Sequence, residues 1–148
     1  MAQQPPPTKP YGPPLSVTAA RKVMAAAEAE AGRNNWGVSI AIVDSGGNLL
    51  MLHRLENAQL ASMRIAEAKA RTAVEFRRPT KSLEDAMTGG GVGLRVLTFG
   101  ACVAEGGLPI IADGRIVGGI GVSGAASEQD AQVAMAGAAA ATEQLPAE

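Results

Sequence analysis

The chain of 148 residues is poor in the residues from which disulfides and metal sites are built. It contains one cysteine, Cys102, and one histidine, His53, and only 3% of its residues are aromatic. A single cysteine excludes an internal disulfide, and one cysteine with one histidine falls short of the clusters that hold structural zinc. We therefore expect no metal site made by the side chains of this chain alone.

Long apolar runs and an excess of either charge are also missing. No stretch approaches the roughly 18 apolar residues of a membrane-spanning helix, and the N-terminus has neither the basic nor the apolar region of a secretory signal. The 13 basic and 14 acidic residues are spread along the chain and leave a formal net charge of −1. Without a basic patch, neither nucleic acid nor an anionic membrane is an expected partner, and we predict a cytoplasmic protein.

The chain does have enough apolar residues for one core, because 47% of its residues are hydrophobic. Residues 1–14 hold six of the nine prolines and no aliphatic cluster, which is typical of an extended arm. Tyr11 within this arm could dock on a neighbouring subunit. We predict a flexible Pro-rich arm over residues 1–14, followed by a single domain over residues 15–148.

A glycine-containing hairpin is the strongest local pattern in the chain. Two short apolar runs, residues 108–112 and 115–122, flank Asp113-Gly114, a dipeptide that favours the type I′ turn of a two-residue β-hairpin. The second run contains three glycines, which weaken a strand unless another backbone or a ligand approaches closely. It also lacks the charged residues that protect sheet edges. We predict that this second strand lies inside the sheet and that an alanine-rich helix follows from Ser127.

Capping residues and hydrophobic periodicity place the other elements. A final strand is expected around residues 101–104. The glycine-rich residues 88–93 predict a mobile loop, because the lysine that follows the last glycine of a phosphate-binding loop is missing.

Hairpins dominate and parallel crossovers are missing, so we predict an α+β fold with one five-stranded antiparallel sheet and flanking helices. The remaining expected elements are a helix from Ser16 to about Gly32, strands over residues 38–44 and 48–54, a helix over residues 58–76 capped by Asn57, and a short helix over residues 82–87.

The helix over residues 58–76 carries a lysine on the face that should turn inward. Its charged side chains form one stripe of alternating sign at three- and four-residue spacing, which is typical of a solvated face. The stripe consists of Arg64, Glu67, Arg71, Glu75 and Arg78. Lys69 lies about 160° from that stripe. Either its stem packs while its ammonium pairs with a buried acid or backbone carbonyls, or it serves a pocket. In a pocket it would bind a carboxylate or an enolate, or act as a base or Schiff-base amine.

Three features converge on one candidate site. They are the inward Lys69, the paired glycines Gly106-Gly107 that open a strand, and the helix start around Asp130, whose backbone N–H groups can bind an anion. The candidate catalytic residues are Lys69, with Glu105 and Asp130 as proton-transfer groups, although a helix-capping role also suits Asp130. The candidate ligand-binding residues are Lys69, Thr72, Gly106, Gly107, Pro109, Ser123, Gly124 and His53.

Several short segments together carry a family resemblance. They are residues 40–49 (IAIVDSGGNL), residues 66–73 (AEAKARTA), residues 106–109, residues 118–124, Gln129-Asp130 and residues 136–138. These segments resemble the GlcG/HbpS family, which includes the C-terminal domain of PduO-type corrinoid adenosyltransferases. The resemblance implies a profilin-like fold and assembly into symmetric homo-oligomers, often octamers. Because some members bind haem, it also makes haem a candidate cofactor and a haem propionate a candidate partner of Lys69.

One position departs from the family pattern, at the turn after the first strand. Family members often carry histidine where this chain has Asn48, so a haem ligand at that position cannot be carried over. His53, later in the same hairpin, remains as a candidate ligand. The alternative is an ordinary surface or interface role, which is more common for a lone strand histidine.

Three functions stay open at this point. The first is a protein that binds haem, another tetrapyrrole or a small anionic carboxylate. The second is a metal-independent lyase or isomerase, in which Lys69 polarises a carbonyl or carboxylate and Glu105 or Asp130 moves a proton. The third is an oligomeric accessory protein without a ligand. A buried, unpaired Lys69 facing a cavity would favour the enzyme, and a salt-bridged Lys69 without a cavity would favour the accessory protein.

Overall fold

An antiparallel sheet lies between helices on both of its faces in the computed structural model, which describes residues 8–142. No helix within this range combines the length and the apolar character needed to cross a bilayer. In chain order the elements are α1 (Val17–Arg33), β1 (Ser39–Asp44), β2 (Leu49–Arg54), α2 (Leu60–Phe76), α3 (Thr80–Thr88), a 3₁₀ helix (Gly91–Thr98), β3 (Gly107–Ala112), β4 (Arg115–Ser123) and α4 (Ser127–Thr142).

The sheet has the strand order β2-β1-β4-β3, and each neighbouring pair is antiparallel. β4 is paired along both sides, so that Ile120 lies opposite Ile42 of β1 and opposite Leu108 of β3. The prediction that the glycine-containing run lies inside the sheet is therefore confirmed, and so is the α+β class.

The predicted number of strands is wrong, because the sheet formed by residues 8–142 has four strands and not five. Residues 101–104, expected to form the fifth, are not in a strand. The N–H group of Cys102 donates to the hydroxyl of Thr72 at 2.9 Å, so its hydrogen bond goes to a helix side chain. Pro109 in β3 is typical of an edge strand, because proline has no N–H group for a further ladder.

α2 lies directly on one face of the sheet because the strands beneath it carry glycine. A Cβ atom at Gly121 would stand 2.0 Å from the carbonyl oxygen of Ala66, and one at Gly107 would stand 2.4 Å from that of Lys69. No side chain fits at such distances, so glycine in the strands and alanine in the helix set the spacing of the two layers. The buried apolar side chains of this layer are small: Ala41, Val43, Ala66, Ala70 and Val74.

α1 and α4 pack on the opposite face of the sheet and on each other. Successive side chains of a strand point to opposite faces, so Ile120 and Val122 of β4 enter this second layer while Gly121 faces α2. The larger core forms here. Its bulky members include Val23, Met24, Ile40, Ile42, Ile110, Ile120, Val122 and Val133.

Local sequence signals explain several element boundaries. The side chain of Ser16 accepts a backbone N–H from the first turn of α1 at 3.1 Å, which confirms it as the N-cap. Asp113 and Gly114 both have positive φ, 51° and 73°, as a type I′ turn requires. The predicted capping by Asn57 is wrong, because Asn57 lies in a turn with a φ of 65° and α2 begins after Gln59.

The second half of the predicted arm is bound to the domain. The carbonyl of Pro10 accepts the N–H of Ile116, and the N–H of Gly12 donates to the Ile116 carbonyl, both at 2.8 Å. The hydroxyl of Tyr11 donates to the carbonyl of Val74 in α2 at 2.7 Å. Tyr11 is thus used within its own chain, and the first seven residues of the predicted arm lie outside the described residues.

Candidate functional site

Lys69 and Asp130 form an ion pair in the interior of the domain. Lys69 projects from α2 and Asp130 from the start of α4, the side chain of each is only 4% exposed, and Nζ lies 3.2 Å from Oδ2. The same Nζ donates to the carbonyl oxygen of Val122 in β4 at 2.8 Å. Lys69 therefore has an acid and a backbone carbonyl as partners, which a buried ammonium needs.

The side chain of Asp130 also helps to cap the N-terminus of α4. Its Oδ1 accepts the N–H of Ala125 at 3.0 Å, and the side chain of Gln129 accepts the N–H of Ala126 at 3.1 Å, as in a capping box. Burial raises the pKa of the Asp130 carboxyl above its usual range, while the charge of Lys69 and the Ala125 N–H act in the opposite direction. The N–H groups of Ala125 and Ala126 are thus satisfied by side chains of the protein itself.

Gly106 covers the ion pair from the side of the sheet edge. Its φ of 128° lies in the region that favours glycine. A Cβ atom at Gly106 would stand 2.9 Å from Lys69 Nζ and 2.7 Å from the carbonyl oxygen of Val122. The glycine predicted for this site therefore lets the backbone itself, and not a ligand, approach the ammonium.

Two buried threonines hold the segment that leads into β3. The hydroxyl of Thr72 accepts the N–H of Cys102 at 2.9 Å, and the hydroxyl of Thr80 accepts the N–H of Gly107 at 2.9 Å. Thr72, predicted to bind a ligand, thus has a backbone partner. Sequence reasoning missed Thr80, because a threonine after a proline at a helix start is ordinary.

Glu105 and the turn after β4 border the buried ion pair. The carboxylate of Glu105 lies 3.9 Å from Lys81 Nζ in α3. Ser123 is buried at the end of β4, and Gly124 follows it in the turn to α4. The structure therefore brings most of the predicted residues together, but around an ion pair that is closed off from solvent.

His53 lies apart from this group. β2, which carries His53, is one edge strand of the sheet, and β3 is the other. Nδ1 of His53 contacts a carboxylate oxygen of Glu28 in α1, and 45% of its side chain is exposed. Asn48 lies within 3.3 Å of the carboxylate of Asp44 in the turn between β1 and β2. Both residues thus have local partners on the side of the sheet that is remote from β3.

A cavity of about 590 Å³ opens beside the edge strand β3. This volume is within the range of pockets that hold small organic ligands. Of the predicted ligand-binding residues, Pro109 lines the cavity and Lys69 is not among its lining residues. The apolar walls are formed by Pro79, Leu108, Pro109, Ile111 and Ile116, and the polar ones by Thr8, Lys9, Arg77, Arg78 and Ser82.

Three exposed cationic residues line this cavity and form its rim: Lys9 from the N-terminal segment, and Arg77 and Arg78 directly after α2. None of them is within salt-bridge distance of a described carboxylate. The guanidinium of Arg77 lies 5.6 Å from the ring centre of Tyr11, and Nε of Arg78 donates to the carbonyl of Phe76 at 3.0 Å. Three positive charges without a carboxylate among them favour the binding of an anion.

Sequence reasoning missed this cavity. It assigns Arg78 to the solvated stripe of α2 and Lys9 to a free arm, and no spacing along the chain relates these residues to β3. A signal was present in residues 77–79, where two arginines precede the proline between α2 and α3. Exposed arginines are common on protein surfaces, so this signal alone does not indicate a site.

The fold and the cavity define a small α+β domain, in which helices cover both faces of a four-stranded antiparallel sheet and a cation-rimmed apolar cavity lies at one edge. Residues 15–139 match the family described as haem degrading protein HbpS-like. The chain belongs to this HbpS-like family, which confirms the resemblance that the sequence motifs predict.

Three known proteins illustrate the similarity. Protein GlcG of Escherichia coli (strain K12) is 43% identical over 109 residues, which cover 74% of this chain and 81% of GlcG. A double mutant of HbpS from Streptomyces reticuli matches with a TM-score of 0.79 and 34% identity, covering 94% of this chain and 97% of that chain. The crystal structure of a PduOC:heme complex matches with a TM-score of 0.78 and 32% identity, covering 86% of this chain and 94% of that chain.

Proposed function

We propose that this chain binds a porphyrin-class ligand that carries carboxylates, in the cavity beside β3. The observation that carries the proposal is the cavity itself, which is lined by apolar residues such as Leu108, Pro109 and Ile111 and by three exposed cations. Membership of the HbpS-like family and the similarity to the PduOC:heme complex support a haem-related ligand.

Both parts of such a ligand have partners in this cavity. The aliphatic walls would cover the planar ring, and each ~100 Å² of apolar surface removed from water contributes about 2.5 kcal/mol. Lys9, Arg77 and Arg78 would pair with the carboxylates, for which the forked guanidinium of arginine has the better geometry. The proposed ligand is therefore amphipathic, with an apolar face and an acidic edge.

Absorbance titration of the purified chain with haemin tests the proposal. We expect a saturable change of the Soret band that weakens at high salt, because salt screens exposed charges. Arg78→Gln should weaken binding at least about tenfold, since a hydrogen bond to a charged group contributes ~1.5–3 kcal/mol. Arg64→Gln is the matched control, because Arg64 is exposed on α2 and does not line the cavity. Equal affinity of both variants, or no Soret change, would contradict the proposal.

Catalytic roles for Lys69, Glu105 and Asp130 stay a prediction. Lys69 is salt-bridged, as predicted for an accessory protein, but that prediction also required that there be no cavity, and a cavity beside β3 favours a ligand. A lyase or isomerase reaction at Lys69 would require its ammonium to leave both Asp130 and the carbonyl of Val122. Ligand binding in the cavity requires no such rearrangement.

Self-association is also proposed, because the family resemblance implies homo-oligomers. Val92, Leu97 and Phe99, in and just after the 3₁₀ helix, are 75%, 58% and 54% exposed. Apolar side chains exposed together are typical of interaction surfaces. Light scattering that gave the 15.0 kDa mass of a single chain would contradict self-association. Octameric assembly and a cytoplasmic location stay predictions.

A further inference from the structure

We infer that the cavity beside β3 recognises the ring and the carboxylates of a porphyrin and does not recognise its metal. Metal-free porphyrin should therefore bind about as well as haemin. The inference rests on the proposed function and narrows it, because it defines the ligand by a planar apolar surface and an acidic edge.

Among residues 8–142, the side chains that line the cavity offer none of the usual haem-iron ligands. Haem iron in proteins is held by histidine, cysteine thiolate, methionine or tyrosine. The polar lining consists of the hydroxyls of Thr8 and Ser82 and the cationic groups of Lys9, Arg77 and Arg78. A charged ammonium or guanidinium only donates hydrogen bonds and has no acceptor lone pair. The residues that line the cavity thus fit a porphyrin ring and its acids, but not its iron.

The residues that could ligate iron lie elsewhere or have other partners. His53 is on the opposite edge strand, where it contacts Glu28. Cys102 and the methionines within residues 8–142 do not line the cavity. Tyr11 is nearer, since its ring lies against Arg77, but its hydroxyl donates to the carbonyl of Val74 at 2.7 Å. No cluster of three or more metal-binding side chains occurs in the part of the chain that the structure describes.

The interactions that remain are the same for a porphyrin with and without iron. Apolar contact with the aliphatic walls depends on the area of the ring, and pairing at the rim depends on the charge of the carboxylates. Neither changes when iron is removed, whereas an axial bond from the protein would favour haemin alone. The ratio of the two affinities therefore reports whether the chain holds the metal.

Parallel titrations of the full chain with haemin and with protoporphyrin IX test the inference. We expect dissociation constants that agree within about tenfold, and an Arg78→Gln variant that weakens both by the same factor. The absorbance spectrum of bound haemin should be the same in wild type, His53→Ala and Tyr11→Phe, because neither residue holds the iron. His53→Ala also tests a histidine contributed by a second copy of the chain.

Two outcomes would overturn the inference and leave the proposed function standing. The first is that haemin binds more than about tenfold tighter than protoporphyrin IX. The second is that the absorbance spectrum of bound haemin differs between wild type and His53→Ala or Tyr11→Phe. If neither porphyrin binds, the proposed function fails and the inference fails with it.

Discussion

The side chains of Lys69 and Asp130 carry opposite charges and are buried between α2 and α4, where water cannot solvate them. Lys69→Met keeps much of the packing of the lysine stem but leaves the carboxylate of Asp130 without its cation. We expect a loss of about 3–5 kcal/mol in the free energy of unfolding near neutral pH. Chemical denaturation measures this loss, with Lys22→Met on the exposed face of α1 as the control. Unchanged stability together with lost ligand binding would instead support a pocket role for Lys69.

The pH dependence of stability tests the same pair. Because burial raises the pKa of Asp130, the folded chain keeps a proton on this carboxyl at pH values where the unfolded chain has released it. Its contribution to stability is therefore full below the unfolded pKa of about 3.9 and is lost as the pH rises through the folded pKa. Lys69→Met should raise this pKa further and extend the decline to higher pH.

The deficit of Lys69→Met relative to wild type should thus shrink as the pH falls from neutrality toward the unfolded pKa of Asp130, about 3.9. Unfolding curves at several pH values measure this change. The double variant Lys69→Met/Asp130→Asn is the control, because it has no carboxyl to titrate at this position. A deficit that stays constant over this range would contradict the assignment of the titrating group.

At the scale of elements, the contact between α2 and β4 depends on the lack of side chains between them. Gly121→Ala would place a Cβ atom 2.0 Å from the carbonyl oxygen of Ala66, so the helix must move away from the sheet. We expect a cost of at least about 1–3 kcal/mol. Gly32→Ala is the matched control, since a Cβ atom at Gly32 meets nothing within 4 Å and alanine favours the helix. Equal melting temperatures of the two variants would contradict the close packing.

At the scale of the whole molecule, residues 8–12 of the N-terminal segment contribute to the lining of the cavity and are hydrogen-bonded to β4 of the sheet. Thr8 and Lys9 line the cavity, and Tyr11 bonds to the end of α2. Removing residues 1–12 should weaken haemin binding about tenfold relative to removing residues 1–7, because a wall and one rim cation are lost. Absorbance titration of both truncated chains measures the difference. Equal affinities would show that the segment plays no part in binding.

The sequence by itself determined those features that depend on neighbours in the chain. Turn chemistry is local, so Asp113-Gly114 predicted its hairpin, and Ser16 predicted the start of α1. Helical and strand periodicity are local as well, so the inward face of Lys69 and the interior position of β4 could be inferred. The dominance of hairpins predicted the α+β class, and the family motifs predicted membership of the HbpS-like family.

Only the tertiary structure decided which distant groups meet. Lys69 and Asp130 are 61 positions apart in the chain, and the sequence offered Asp130 both a capping and a chemical role. The expected fifth strand is not formed by residues 101–104, and the N–H of Cys102 donates to the hydroxyl of Thr72 in α2, a partner 30 positions away. The cavity joins the N-terminal segment, the end of α2 and the β3–β4 hairpin. Periodicity reports which face of an element is buried, but the partner on that face depends on the packing of the layers, which no local pattern encodes.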